Sequence, residues 1–235
     1  MTIAVIIPVL NELPNLPACV DSVRRGIPAA RIVASDGGST DGSVEWLAAR
    51  PDVALVNGAR GKGPQQNAGA AAADADVFLF LHADCELPAN AGRELAAALA
   101  DPAVAGGAFF VRFAERKPLS LHLLAWGMNT RLRILRRCFG DQALFVRADV
   151  FRRVDGFPDW PLFEDYELVR RLKRQGRFAV IRSPIQLGAR RFQRHGVWRT
   201  LVRVLILQAG YYGGISPLRL KAWFADIRPH LPEEN

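Results

Sequence analysis

Cysteine is scarce in this chain. Its 235 residues include three, Cys19, Cys85 and Cys138. These are too few and too scattered for a disulfide framework or a zinc site. The simplest compartment is a reducing cytoplasm. Long apolar runs are missing as well. None reaches the roughly 18 residues needed to cross a bilayer, so an integral membrane protein is not expected. The opening Met1-Thr2-Ile3-Ala4-Val5 carries no positively charged leader and no small-residue cleavage site, so a secretory signal is not expected either. There is no internal repeat and no low-complexity linker. Hydrophobic residues at 50% and charged residues at 23% exclude disorder and collagen as descriptions of the whole.

Positive charge is in excess, and it is unevenly placed. The formal net charge is +8. Residues 1–111 hold 7 basic and 12 acidic side chains, a balance of −5. Residues 112–235 hold 24 basic and 11 acidic, a balance of +13. A basic half beside an acidic half points to a polyanionic partner: a phosphate-bearing substrate, an anionic lipid or nucleic acid. A solvated arginine-rich surface is the plain alternative.

The first 111 residues alternate strand and helix signals. Strands are expected at Ile3–Pro8, Arg31–Asp36, Val53–Val56, Val77–Leu81 and Gly107–Val111. Helices are expected at about Leu13–Arg25, from Val44 with Asp41 as its cap, at Pro64–Ala73, and from Pro88 to Leu99. Short links between β and α units predict a mostly parallel sheet with helices on both faces. In such sheets ligands bind at the carboxyl ends of the strands. Asp36 and Asp84 both stand there. The second half is less regular. Helices are expected at Leu119–Arg133, Glu164–Gln175 and Val197–Tyr212, and strands at Gln142–Val146 and Phe178–Ile181. One domain, 1–235, with a specialised half from 112 onward, is the expected organisation.

Three acidic clusters carry candidate chemistry. Asp36 precedes Gly37-Gly38-Ser39-Thr40-Asp41, where glycines let backbone approach a flat ligand. Ser39 occupies the place of the second glycine of G-x-G-x-x-G, which weighs against a dinucleotide site. His82-Ala83-Asp84 follows the most apolar strand, and one carboxylate there is enough for a magnesium ion bridging phosphates. Phe163-Glu164-Asp165 opens a helix, whose dipole favours ionised carboxylates suited to a general base. Each has a structural alternative, as a turn, a cap or a favourable first-turn charge. Lys62-Gly63-Pro64-Gln65-Gln66-Asn67 offers a lysine and free amides to a phosphate, but lacks the spacing of a nucleoside-triphosphate loop.

In order along the chain, Ile6-Ile7-Pro8-Val9-Leu10-Asn11-Glu12, Ser35-Asp36-Gly37-Gly38-Ser39-Thr40-Asp41, Gly61-Lys62-Gly63 with Asn67 and Gly69, Leu81-His82-Ala83-Asp84 and Phe163-Glu164-Asp165 resemble the family 2 glycosyltransferases. The stretch from Arg190 to Arg199 is similar to a small bacterial subgroup without long membrane-spanning tails. The resemblance covers about residues 1–185. It implies the GT-A fold, a Rossmann-like, mostly parallel α/β sheet. It also implies a nucleoside-diphosphate sugar donor, UDP- or GDP-linked, and a divalent cation, Mg2+ or Mn2+. Pro8, Asn11, Glu12 and Asp36 would line the nucleotide pocket, and Lys62 and Asn67 would enclose it. Asp84 matches the last acidic residue of the family's metal motif, whose first position here is His82. His195 stands where some related enzymes supply a further ligand. Asp165 matches the catalytic base, with Glu164 beside it.

The implied reaction is an inverting single displacement onto an acceptor hydroxyl, with Arg190, Arg191 or Arg194 adding positive charge near the diphosphate. Glu164, Trp160 and Arg191 fall on the acceptor side. Trp126, Trp160 and Phe163 are candidates for stacking on the acceptor. Residues Val197–Tyr212 suit a membrane surface or a lipid-linked acceptor, a twin subunit in a homodimer, or the core. The localisation expected is cytoplasmic, extending to a peripheral seat on the inner membrane face. Two rivals remain. A sugar-nucleotide nucleotidyltransferase would need a glycine- and arginine-rich loop after the first strand, which Pro8-Val9-Leu10-Asn11-Glu12 is not. A non-catalytic nucleotide or polyanion binder would use the basic half. Nucleic acid is not an expected partner, since no stacking platform or recognition helix is visible.

Overall fold

A computed structural model describes residues 1–114, 118–189 and 196–223. The first half runs β1 (Ile3–Val9), α1 (Leu16–Gly26), β2 (Arg31–Asp36), α2 (Ser43–Ala48), β3 (Val53–Asn57), α3 (Lys62–Ala71), β4 (Val77–Phe80), β5 (Cys85–Glu86), α4 (Ala91–Leu99) and β6 (Val104–Arg112). The second runs α5 (Leu119–Leu135), a 3-10 turn (Gly140–Gln142), β7 (Leu144–Arg147), α6 (Ala148–Arg153), α7 (Glu164–Leu172), β8 (Arg177–Leu187), α8 (Val197–Tyr212) and α9 (Pro217–Trp223).

One eight-stranded sheet has the order β3-β2-β1-β4-β7-β6-β8-β5. The β3-β2-β1-β4 block is wholly parallel. β7 then enters antiparallel to both β4 and β6. β6 and β8 pair in parallel, and β5 closes the edge antiparallel to β8. The mostly parallel expectation therefore holds for the β3-β2-β1-β4 block, and β7 and β5 make the sheet mixed. β7 answers to the strand expected at Gln142–Val146, and enters antiparallel between β4 and β6.

Two-residue periodicity sorts β1 and β4 onto the two faces. Val5, Ile7, Val9, Leu79 and Leu81 join one core with Leu16, Val20 and Val23 of α1. Ala4, Ile6, Phe78 and Phe80 join the other with Phe151 of α6 and Leu168, Val169 and Leu172 of α7. These strands are buried on both faces, which explains their continuous apolar runs. Each buried Val, Leu, Ile or Phe among them contributes about 1.5–3 kcal/mol. At the β6–β8 pair the backbones close in on Gly107, where an added Cβ would stand 2.4 Å from the Ala179 carbonyl oxygen.

Several boundaries differ from expectation. The helix expected from Pro88 starts at Ala91, whose N–H donates to the Pro88 carbonyl. Gln142 belongs to the 3-10 turn rather than to a strand. β5, α6 and α9 were not anticipated; they span two, six and seven residues, too short for periodicity to show. α8 has the expected bounds but is not a core helix. Among its residues only Thr200 and Leu207 are buried.

Candidate active site

The strands of the parallel block deliver four loops to one edge of the sheet. The first two are tied to each other. Asp36, 5% exposed at the end of β2, accepts hydrogen bonds from the N–H groups of Gly38 (2.7 Å) and Ser39 (3.0 Å). Ser39 Oγ accepts from the Asn11 N–H at 2.9 Å, and Asn11 Oδ1 accepts from the Thr40 N–H at 2.8 Å. Asn11 adopts φ 55°, an uncommon left-handed turn for a residue with a side chain. The Glu12 N–H donates to Ser43 Oγ at 3.1 Å, and the Glu12 carboxylate accepts from Asn15 Nδ2 at 2.6 Å. Pro8 is half-buried at the end of β1, beside Ser35 of β2.

Asp41 does serve α2, accepting the Ser43 N–H at 3.1 Å, although the residue at the cap position itself is Gly42. It also accepts the Leu13 N–H at 3.0 Å and so fastens the first loop. Partial burial pushes its carboxyl up, but the hydrogen bonds from Ser43 and Leu13 outweigh this and leave it below its ordinary range.

The start of α3 bridges two sides of the site. Two of the amides expected to be free for a phosphate, those of Gln65 and Asn67, are already engaged with backbone. Gln65 Nε2 donates to the carbonyls of Val9 (2.7 Å) and Ser35 (2.8 Å), pinning the ends of β1 and β2. Asn67 places both ends of its amide on Phe157: Nδ2 donates to the carbonyl at 2.8 Å and Oδ1 accepts the N–H at 3.0 Å. Asn67 thus holds the segment before α7, and its amide already has these two partners. Lys62 is exposed at the first position of α3, and its charge acts on Glu164.

Asp84 lies just before β5. That short strand pairs with the end of β8, Cys85 opposite Leu187. The pairing carries Gly188 against Asp84. The Gly188 N–H donates to the Asp84 carbonyl at 2.8 Å, and an added Cβ would stand 2.9 Å from Asp84 Oδ2. Cys85 is buried, and burial first, then the charges of Asp84 and Asp141, push its thiol well up. Cys138 is pushed up by burial and by Asp165 and Asp141. The charge of Asp141 thus reaches both buried thiols.

Asp165 and Glu164 open α7 behind Phe163, which takes φ 64°. Strained turns of this kind cost on the order of 1–3 kcal/mol and concentrate at functional sites. Asp165 accepts the backbone N–H of Gly140. A Cβ at Gly140 would lie 3.0 Å from Asp165 Oδ2 and 3.1 Å from His82 Nε2, so the 3-10 turn, α7 and the end of β4 meet at one point. Glu164 is not kept ionised by the helix start. Burial and the neighbouring Asp165 push its carboxyl up, Lys62 only partly offsets them, and the two carboxyls share a hydrogen bond.

Phe163 does not project toward an acceptor. It is buried and stacked on Tyr211 of α8, ring centroids 4.6 Å apart at 22°. Trp160 is half-buried just ahead of α7, and Trp126 is exposed on α5. Arg190, Arg191, Arg194 and His195 lie outside the described residues. Among the described residues no three His, Cys, Asp or Glu side chains form a metal-binding group.

Sequence reasoning missed Asp141, Gly140 and Gly188. A glycine–acid–amide triplet directly before a strand was a usable signal for the first two. Gly188 gave none, since its place depends on β5.

The mixed eight-stranded α/β sheet flanked by helices matches the GT-A class of glycosyltransferase folds. The chain belongs to glycosyl transferase family 2, whose sequence profile matches residues 4–155. No curated protein matches the chain by sequence. Among solved structures, TarS 1-349 of S. aureus superposes with a TM-score of 0.64 at 17% identity, covering 88% of this chain and 66% of that one. The same protein in complex with UDP-GlcNAc gives 0.63 at 17% identity, covering 79% and 58%. The mannosyltransferase PcManGT of Pyrobaculum calidifontis, in complex with GDP-Man and Mn2+, gives 0.58 at 21% identity, covering 86% and 64%. The chain thus spans 58–66% of the length of these solved chains.

Proposed function

We propose that this protein is an inverting glycosyltransferase that moves a sugar from a UDP- or GDP-linked donor to an acceptor hydroxyl by a metal-assisted single displacement. The observation that carries the reading is the Asp165 carboxylate, held by the Gly140 N–H beside His82, at the edge where the loops of a family 2 sheet end. Structural relatives bound to UDP-GlcNAc and to GDP-Man support the donor class.

Asp165 takes the proton from the acceptor hydroxyl as its oxygen attacks the anomeric carbon. Burial and the adjacent Asp165 raise the Glu164 carboxyl, which favours Asp165 as the proton acceptor of the pair. Asp36, with Asn11 and Glu12, meets the nucleoside, and Lys62 faces the diphosphate. Asp84 is a hard oxygen donor of the kind Mg2+ and Mn2+ prefer. When bound, such an ion stabilises the charge on the departing diphosphate. Trp160 and Arg191 belong to the acceptor side in this reading.

The test combines turnover with product stereochemistry. UDP- and GDP-sugars are offered with Mn2+, and the product's anomeric configuration is read by NMR. Inversion is expected. Asp165→Asn should reduce turnover about 10²–10⁴-fold while nucleotide-dependent thermal stabilisation survives. Nucleotide binding without transfer to any acceptor or water would favour the non-catalytic binder, and retention would remove the single displacement.

A further inference from the structure

The three helices α5, α8 and α9 expose apolar surface in a way the rest of the described chain does not. Twelve large apolar side chains are exposed among the described residues, and eleven lie on these helices; Met1 is the other. On α8, Trp198, Val202, Leu205, Ala209 and Tyr212 follow one another at spacings of four and three and all are exposed. That spacing makes one continuous stripe along a helix. Thr200 and Leu207 hold the buried side. On α5 the pattern repeats: Leu119, Leu123 and Trp126 face outward, while Leu121, Ala125, Met128 and Leu132 are buried. A helix apolar on two sides normally has protein or lipid against both.

Charge on these helices has one sign. Residues 118–138 and 196–223 contain eight basic side chains (four arginines in the first segment; three arginines and a lysine in the second) and no aspartate or glutamate. The end of α5 meets the end of α8 where Arg137 donates to the Tyr212 hydroxyl at 2.9 Å. The inner side of α8 and α9 packs Leu207, Tyr211 and Leu220 on Phe163 and Tyr166, which flank the Glu164–Asp165 pair.

We propose that the α5–α8–α9 surface seats the protein on an anionic lipid bilayer. Apolar stripes with basic flanks are the chemistry of helices that lie in the headgroup region. None of these helices is long and apolar enough to cross it. A second copy of the chain is a poor occupant. A two-fold interface would set an all-basic surface against itself, and like charges across an interface are repulsive. An anionic leaflet is complementary to both features. This inference goes beyond glycosyl transfer and does not rest on it.

The test is co-sedimentation of the full chain with vesicles of phosphatidylcholine alone or of equimolar phosphatidylcholine and phosphatidylglycerol. Binding is expected with phosphatidylglycerol, weakened by salt and weak without the anionic lipid. One basic residue near such a surface is worth roughly fivefold in partitioning, so R199Q/R203Q should lose on the order of tenfold. W198E/L205E should lose at least as much with an unchanged melting temperature, because both side chains are exposed. If that variant unfolds, R199Q/R203Q decides. No sedimentation of the wild type, equal sedimentation with both vesicles, or a dimer that dissociates in W198E/L205E would overturn the proposal.

Discussion

Gly140 donates its backbone N–H to the Asp165 carboxylate across 25 positions of sequence. A main-chain group of the 3-10 turn thus sets where that carboxylate points. An added methyl would stand 3.0 Å from Asp165 Oδ2 and 3.1 Å from His82 Nε2. Either contact is tighter than ordinary packing, and the carboxylate must move by a few tenths of an ångström. Misplacement by about 1 Å can cost on the order of 100-fold. Gly140→Ala should therefore lower kcat about tenfold with little change in donor KM or melting temperature. Steady-state kinetics with an unchanged kcat would remove Asp165 from the chemistry.

Glu164 supplies a pH signature. Its carboxyl is raised by burial and by Asp165. A raised acid binds its proton more tightly folded than unfolded, so its stabilising effect is complete below the ordinary glutamate pKa. That effect declines as pH rises through the folded value. Glu164→Gln keeps a hydrogen-bond donor for Asp165 and removes the titration. Denaturant midpoints of the wild type should fall relative to this variant as pH rises from acidic to mildly alkaline. Parallel midpoints across that range would refute the assignment. Turnover should survive in Glu164→Gln far better than in Asp165→Asn, which loses the proton acceptor itself.

Much of the donor side could be read from sequence because its signals are local. A buried parallel strand shows as a β-branched apolar run, and its final residue marks the ligand edge. Asp36 and Asp84 were found that way. What sequence could not show was how polar side chains partner. Gln65 and Asn67 read as free amides, yet both bridge backbone groups far away in sequence. Phe163 read as a stacking surface, yet Tyr211 covers it. Asp141 and Gly188 reach the site only through β7 and through the two-residue β5. β5 has no length or period that a window of sequence detects, and β7, legible as a strand, does not disclose its antiparallel place between β4 and β6.

Asn67 holds the segment ahead of α7 through both backbone groups of Phe157. The Phe157 ring packs edge-on against Phe80 at 4.8 Å, so this segment is anchored to the core. Asn67→Ala leaves a donor and an acceptor without their partners. Such losses cost about 1–3 kcal/mol for each buried group, and a chain of this size responds by roughly 2–4 °C per kcal/mol. Calorimetry should show a fall of several degrees. Nucleotide affinity should change less than stability, because the amide is engaged with protein. The reverse ranking would return Asn67 to the nucleotide pocket.

Gly188 offers a way to move Asp84 without altering its charge. Its added Cβ would meet the Asp84 carbonyl oxygen and Oδ2, both at 2.9 Å. A backbone oxygen cannot swing aside as a flexible side chain can. Gly188→Ala must therefore shift β8 or displace Asp84. If Asp84 supports a cation beneath the diphosphate, either movement weakens nucleotide binding only when Mn2+ is present. Residues supporting a metal ligand typically matter by about 10–100-fold. Calorimetric titration of UDP and GDP should show Gly188→Ala about tenfold weaker with Mn2+ and nearly unchanged without it, and Asp84→Asn should follow the same pattern more strongly. Losses of equal size with and without the metal would mean that Asp84 shapes the pocket without holding an ion.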